Sequence, residues 1–252
     1  MKTVGLFLVF LFSSLCAAEE LSVAAASDLN FALQEIAKKY QQTTGNTLKL
    51  SFGSSGNFFA QIQNGAPFDL YFSADVDFPK KLESTGFAEP GTLYRYAVGK
   101  LALWVPNGSK LDLNRGIQVL LDPSIKRIAI ANPKHAPYGR AAEAAMRKAG
   151  IYDKVSAKLV VGENISQAAQ FVETGNADIG LVALSLVSAL TMQGRGRYIA
   201  VPSDLYPALE QGAIVVRSSN KKSVARDFLQ FLKKPEAQAI FRKYGFQSPD
   251  VK

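Results

Sequence analysis

Two hydrophobic patterns alternate along the chain: short unbroken apolar runs, and longer stretches with apolar residues at helical spacing. Leu21–Ala26 is a short apolar run ending in small residues, which predicts a buried strand. Leu29, Leu33, Ile36, Ala37 and Tyr40 then share one face of a helix expected over Asp28–Thr43, and Gly45 stops it. Leu48–Phe52 predicts a second strand, Gly56–Asn64 a short helix closed by Gly65, and Phe68–Ser73 a third strand. The same order returns later: strand Arg127–Ala131, helix Tyr138–Lys148 stopped by Gly150, strand Lys158–Val161, helix Ile165–Thr174 closed by Gly175, strand Ile179–Ala183.

The spacing repeats as well. Ser27 and Ser55 lie 28 residues apart, and Tyr138 and Ile165 lie 27 apart. Ser55 to Gly65 and Ile165 to Gly175 both span 10 residues. Two copies of one βαβαβ plan predict two similar α/β lobes. Right-handed crossovers make each sheet mostly parallel, flanked by helices. Tyr96–Val105 is an extended run leading from lobe one into lobe two, and Gln211–Val216 leads back. Helices expected over Ser223–Lys233 and Pro235–Tyr244 complete lobe one. The expected division is therefore 19–100 with 211–252 as lobe one and 101–210 as lobe two, joined by a hinge. Trp104, the only tryptophan, falls at the expected crossing and is a candidate reporter of closure.

Composition narrows the chemistry. The 252 residues are 48% hydrophobic and 20% charged, which fits a globular chain and argues against disorder or coiled coil. One Cys and one His exclude a Cys-rich zinc site, an iron–sulfur cluster and an intrachain disulfide. Met1–Ala18 reads as a secretory signal: Lys2, an apolar stretch from Val4 to Leu15, and small residues Cys16-Ala17-Ala18 before a cleavage expected at Glu19. The apolar stretch is shorter than the roughly 20 residues that span a bilayer. Lipid anchoring through Cys16 is the weaker alternative, because Leu15 is bulky where a lipobox takes Ala or Gly. Export places the protein in the periplasm of a Gram-negative cell. The formal charge of +8 comes from scattered Lys and Arg with no aromatic interleaving, which suits a solvated surface and offers nothing to nucleic acid.

The candidate binding residues lie where strands end and helices begin, the place where open α/β sheets bind ligands. Ser27 is expected to cap the helix that starts at Asp28. Gly53-Ser54-Ser55-Gly56 opens the next helix, Pro137-Tyr138-Gly139 the first helix of lobe two, and Asn164-Ile165-Ser166 the second. A helix N-terminus offers unpaired N–H donors and partial positive charge. Ser27 and Ser55 add hydroxyls, and none of the four positions is Lys or Arg. Such a site would hold a small desolvated oxyanion by hydrogen bonds alone. Asp28 is expected to face solvent as a first-turn acid, since a carboxylate in the cleft would oppose an anion.

Ala24-Ala25-Ala26-Ser27, Ser51-Phe52-Gly53-Ser54-Ser55-Gly56, Gly65-Ala66-Pro67-Phe68-Asp69-Leu70, Ser73-Ala74-Asp75, Pro133-Lys134-His135-Ala136-Pro137-Tyr138-Gly139 and Phe241-Arg242-Lys243-Tyr244-Gly245-Phe246 together resemble the molybdate-binding proteins of ABC transporters. The resemblance implies a two-lobed class II periplasmic-binding-protein fold. It implies capture of molybdate or tungstate, no cofactor, a monomer, and delivery to a membrane permease. By the same resemblance Ser27 and Ser55 supply hydroxyl and amide donors, and Tyr138 and Ile165 main-chain N–H donors, with no protein atom bound directly to the metal. One departure is Ala183, which stands where many members have a donor Tyr.

The residues themselves leave other small anions open, such as sulfate, phosphate or an organic acid. Arg140 is the cleft-loop cation that a carboxylate binder would use. A secreted hydrolase is a weaker reading. Gly53-Ser54-Ser55-Gly56 is not a nucleophile elbow, and His135, the one imidazole, sits between prolines as a loop-structuring residue. Asp69 and Asp178 occupy equivalent places before apolar strands and read as structural.

Overall fold

A computed structural model of the chain describes residues 18–249. The expected signal segment, with Cys16, lies outside the described residues except for Ala18. The first sheet contains β1 (Glu20–Ala26), β2 (Thr47–Gly53), β3 (Leu70–Ser73), β4 (Tyr94–Gly99) and β10 (Leu209–Val215), in the order β2-β1-β3-β10-β4. The second contains β5 (Leu101–Pro106), β6 (Ile128–Ala131), β7 (Leu159–Gly162), β8 (Ile179–Ala183) and β9 (Gly196–Ala200), in the order β7-β6-β8-β5-β9. The two orders are the same plan: β1, β2 and β3 correspond to β6, β7 and β8.

Only the repeated three-strand unit of each sheet is parallel. The fourth and fifth strands, β10 and β4 in one sheet and β5 and β9 in the other, pair antiparallel. The sheets are therefore mixed, because the strands that carry the chain between them enter from the opposite end. The first passage is a single residue, Lys100, between β4 and β5. The return lies between β9 and β10, so Gln211–Val215 is already inside the first sheet. Trp104 is likewise no crossing residue. It sits within β5, opposite Gly180 and Tyr198, with 1% exposure.

The helices are α1 (Asn30–Thr44), α2 (Ser55–Gln63), α3 (Asp77–Ser84), α4 (Pro137–Lys148), the one-turn α5 (Tyr152–Val155), α6 (Ile165–Glu173), the one-turn α7 (Leu184–Val187), α8 (Lys222–Phe231) and α9 (Pro235–Lys243). Gly45 ends α1 at φ 79°, a left-handed conformation that only glycine adopts without strain. The C-terminal helices cover the first sheet: Phe228 of α8 packs edge-on against Phe72, and Phe241 of α9 stacks on Tyr96. One hydrophobic cluster joins residues of both sheets.

The equivalent acids Asp69 and Asp178 do the same work in the two sheets. Asp69 Oδ2 accepts the Ser22 N–H at 2.7 Å, and Asp178 Oδ2 accepts the Lys126 and Arg127 N–H groups at 2.8 Å each. Each carboxylate thus anchors the backbone at the start of the middle strand of the parallel unit, β1 or β6. Register then sets the far ends level: Ala26 pairs with Gly53 and Ala131 with Gly162. The loops that open α2, α4 and α6 and the turn into α1 consequently emerge along one line on each sheet. Asp69 is buried and also accepts from Ser219 Oγ, whereas the amides on Asp178 are exposed and water can replace it. Asp69→Ala should therefore cost about 2–3 kcal/mol in urea unfolding and Asp178→Ala about half that. Equal costs, or the reverse order, would contradict this account of the strand anchors.

Candidate functional site

The carboxyl ends of β1 and β2 face those of β6 and β7 across a small cavity. Ser27, Ser55, Tyr138 and Ile165 all line it, together with Asp28, Gly53, Ser54, Ala74 and Pro137. The cavity is about 10 Å³, room for about one water molecule and far below the roughly 300–1,000 Å³ of sites for drug-sized ligands.

Each lining residue is placed by its strand end. Pro137 is the first residue of α4, where its fixed φ and missing N–H cost nothing. Tyr138 follows, so its N–H is a first-turn amide without an intrahelical acceptor. Asn164 caps α6, its Oδ1 accepting the Gln167 N–H at 3.0 Å, which leaves Ile165 at the first turn. Ser55 opens α2. Its Oγ accepts the Ala74 N–H at 3.0 Å and so keeps its own proton to donate.

Ser27 departs from expectation. It begins a 3-10 turn, Ser27–Leu29, ahead of α1 and does not cap that helix; its Oγ accepts the Ser166 N–H in the first turn of α6 at 3.3 Å. Its hydroxyl instead reaches the other sheet, 3.1 Å from Asn164 Oδ1, while its carbonyl accepts from Ser166 Oγ at 3.0 Å. Ser54 also crosses the cleft. Its Oγ donates to the His135 carbonyl at 2.7 Å, and the Gly56 N–H donates to the same oxygen at 2.9 Å. A Cβ on Gly56 would lie 2.7 Å from that oxygen, so glycine is required for this approach. His135 is thus more than a loop residue: its carbonyl clasps the two sheets, and its Nδ1 is 2.8 Å from Ser54 Oγ. Sequence reading missed this clasp because nothing in a Pro-flanked loop marks one carbonyl. Arg140 pairs with Asp75 across the cleft and does not line the cavity. Ala183 ends β8 fully buried, also away from the lining.

Asp28 overturns its expectation outright. It is 1% exposed and lines the cavity. The 3-10 turn rotates it inward, where an α-helical start would have left it on the solvent face. Its Oδ2 accepts from Gln211 Nε2 at 2.6 Å, and the Tyr138 hydroxyl bonds the same carboxyl. Gln211 Oε1 in turn accepts from the Tyr96 hydroxyl at 2.8 Å. Gly99 makes room for the network, since a Cβ there would lie 2.2 Å from Tyr138 Oη. Burial pushes the Asp28 carboxyl up to about 7, against the opposing pull of these donors. Burial and the neighbouring Asp28 push Tyr138 and Tyr96 well above the ordinary tyrosine value, so both stay neutral. The available sequence signal was Gln211, a polar residue heading an apolar run.

Chemically, the cavity presents amides and hydroxyls of neutral groups and no Lys or Arg. Among the described residues no cluster of three or more His, Cys, Asp or Glu could hold a metal cation. Oriented N–H dipoles with no countercharge suit a small anion.

The profile of the bacterial extracellular solute-binding protein family matches residues 21–247. The chain is 42% identical to the molybdate-binding protein ModA of Rhodobacter capsulatus, over 91% of this chain and 89% of that one. It superposes on the periplasmic molybdate-binding protein of Azotobacter vinelandii with a TM-score of 0.86 at 36% identity, covering 91% of this chain and 99% of that one. The sulfate-binding protein SubI of Mycobacterium tuberculosis shares the fold at 16% identity, with a TM-score of 0.75 over 92% of this chain and 88% of that one.

The buried acid has a consequence for stability. A carboxyl with a raised value in the fold contributes its full stability below its unfolded value near 3.8 and loses it as pH rises to about 7. Asp28→Asn should therefore leave the ligand-free protein at least as stable as the parent at pH 8 and relatively less so at pH 4. Thermal unfolding of both proteins across that range checks the sign, and a difference independent of pH would contradict it.

Proposed function

The chain belongs to the bacterial extracellular solute-binding protein family, in its molybdate-binding branch, and we propose that it captures molybdate in the periplasm for an ABC permease. The observation that carries this reading is the convergence of Ser27, Ser55, Tyr138 and Ile165 on one cavity too small for an organic substrate and lined without cations. Ser27 and Ser55 donate from hydroxyl and amide groups, and Tyr138 and Ile165 from first-turn amides. Half of the donors belong to each sheet, so neither half alone surrounds the anion. Two lobes that change over near residues 100 and 210 therefore close on it, and the permease reads the closed shape. Tungstate, with the same charge and tetrahedral form, fits the same cage. The protein works as a monomeric carrier, delivered by the Met1–Ala18 signal, and not as an enzyme.

A cage without countercharge discriminates by size and by the fit of its donors, since a smaller tetrahedral ion leaves some of them unpaired. Purified ligand-stripped protein should bind molybdate and tungstate at least about a hundredfold tighter than sulfate or phosphate, about 2.8 kcal/mol. Calorimetric titration with the four anions tests this, and a sulfate affinity within about tenfold of molybdate would sink the reading. Ser27→Ala and Ser55→Ala should each weaken molybdate about ten- to a hundredfold, the range for hydrogen bonds to charged groups. Unaltered affinity in both variants would place the ligand elsewhere.

A further inference from the structure

We infer that Asp28 is a further binding residue of this cavity, one that holds a proton while the anion is bound and donates it from its unshared oxygen, so that each dianion is captured together with one proton. The inference rests on the reading of the cavity as an oxyanion site.

The geometry leaves one carboxyl oxygen unused. Gln211 Nε2 occupies Oδ2, whereas Oδ1 is buried with no hydrogen-bond partner among the described residues. A buried polar atom without a partner is rare and calls for an explanation. Asp28 lines the cavity, so the group that can complete its bonding is whatever occupies that space.

No cation faces Asp28; the groups that favour its charge are neutral donors, Gln211, Tyr138 and the backbone of Asp28 and Leu29. Gln211 faces it from β10, Tyr96 from β4 and Tyr138 from α4, and Ser185 of α7 donates to its carbonyl at 2.7 Å. All of these are neutral, and the tyrosines remain so through the physiological range. Arg140 and Asp75, the charged groups next to the lining residues Pro137 and Ala74, are paired with each other. An ionised Asp28 would therefore meet a dianion in a desolvated space with no cation between them, an arrangement that strongly favours protonation.

Protonation converts the conflict into a contact. The neutral acid has one O–H, and Gln211 Nε2 is itself a donor toward the carboxyl. With Oδ2 taken by Gln211 and the Tyr138 hydroxyl donating to the carboxyl, a proton on Oδ1 is free to go to an oxygen of the anion. The proton comes from solvent, stays on Asp28 and transfers to no other group. The carboxyl of the empty cavity, already at about 7 through burial, is poised for this uptake. Linkage makes the effect mutual: the anion raises the proton affinity of Asp28, and the proton raises the affinity for the anion.

The test is calorimetric titration of molybdate, a dianion across this range, between pH 6 and 9, at each pH in two buffers of different ionisation enthalpy. The parent protein should take up about one proton per anion at pH 8, and its affinity should fall about tenfold per pH unit above pH 7. Asp28→Asn offers an amide donor at every pH, so its proton uptake and its slope should both vanish. Tight binding by the parent with no proton uptake and a flat profile would overturn the inference alone. A slope that persists in the Asn variant would also overturn it. Failure of the parent to bind molybdate or tungstate at any pH would overturn the proposed function, and the inference with it. The proton count is made on the parent, so it stands even where the variant folds poorly.

Discussion

A charge taken out of water with no counter-ion beside it must be held by dipoles that already point at it, or not held at all. That constraint organises this molecule. The cavity lies where the carboxyl ends of two sheets face each other, because only there do helix N-termini from both sheets converge on one point. The cleft is closed by backbone as much as by side chains: the His135 carbonyl accepts from Gly56 and Ser54, and the Ser27 carbonyl from Ser166. Backbone groups fixed by secondary structure need little reorganisation to serve in this way. The amides that line the cavity and the carbonyls that seal it are two ends of the same economy of dipoles.

The internal repeat explains why two unrelated-looking stretches of sequence can build one symmetric cage. Ala26–Gly53 and Ala131–Gly162 end level in their sheets, and Asp69 and Asp178 each pin the start of the middle strand of the parallel unit. Pinning one end and aligning the other fixes the height at which every following helix begins. The position of Ser55 or Ile165 in the cavity is therefore set by the register of the strand that precedes it, which ends at Gly53 or Gly162.

That architecture also decides what could be seen in the sequence. The alternation of apolar runs and helical spacing exposed the repeat, and with it the four helix starts, because periodicity is a local property. The equivalence of Asp69 and Asp178 was visible for the same reason. What escaped depends on distant partners. In the sequence alone Ser27 and Asp28 read as a cap and a solvent-facing acid, as they would be at an isolated helix. The chain enters α1 through a 3-10 turn instead, which sends Ser27 to Asn164 and Asp28 to Gln211, residues 137 and 183 positions away. The antiparallel strands β10 and β5 escaped too: each follows its passage between the sheets, and the direction of such a passage has no signature in hydrophobic spacing.

The network of Asp28, Gln211, Tyr96 and Tyr138 shows how the two requirements meet. Three of its members belong to the first sheet or its loops, and Tyr138 belongs to α4 on the second. It fits only because Gly99, the last residue before the first passage, has no side chain to obstruct Tyr138 Oη and Gln211 Nε2. The residue at which the chain leaves the first sheet is thus also the residue that admits a group from the second. A buried polar network with one oxygen unsatisfied is a weak point of the fold. On the proposed reading, an anion in the adjoining cavity would complete the bonding of that oxygen. Closure would then favour the loaded state without any cation to enforce it.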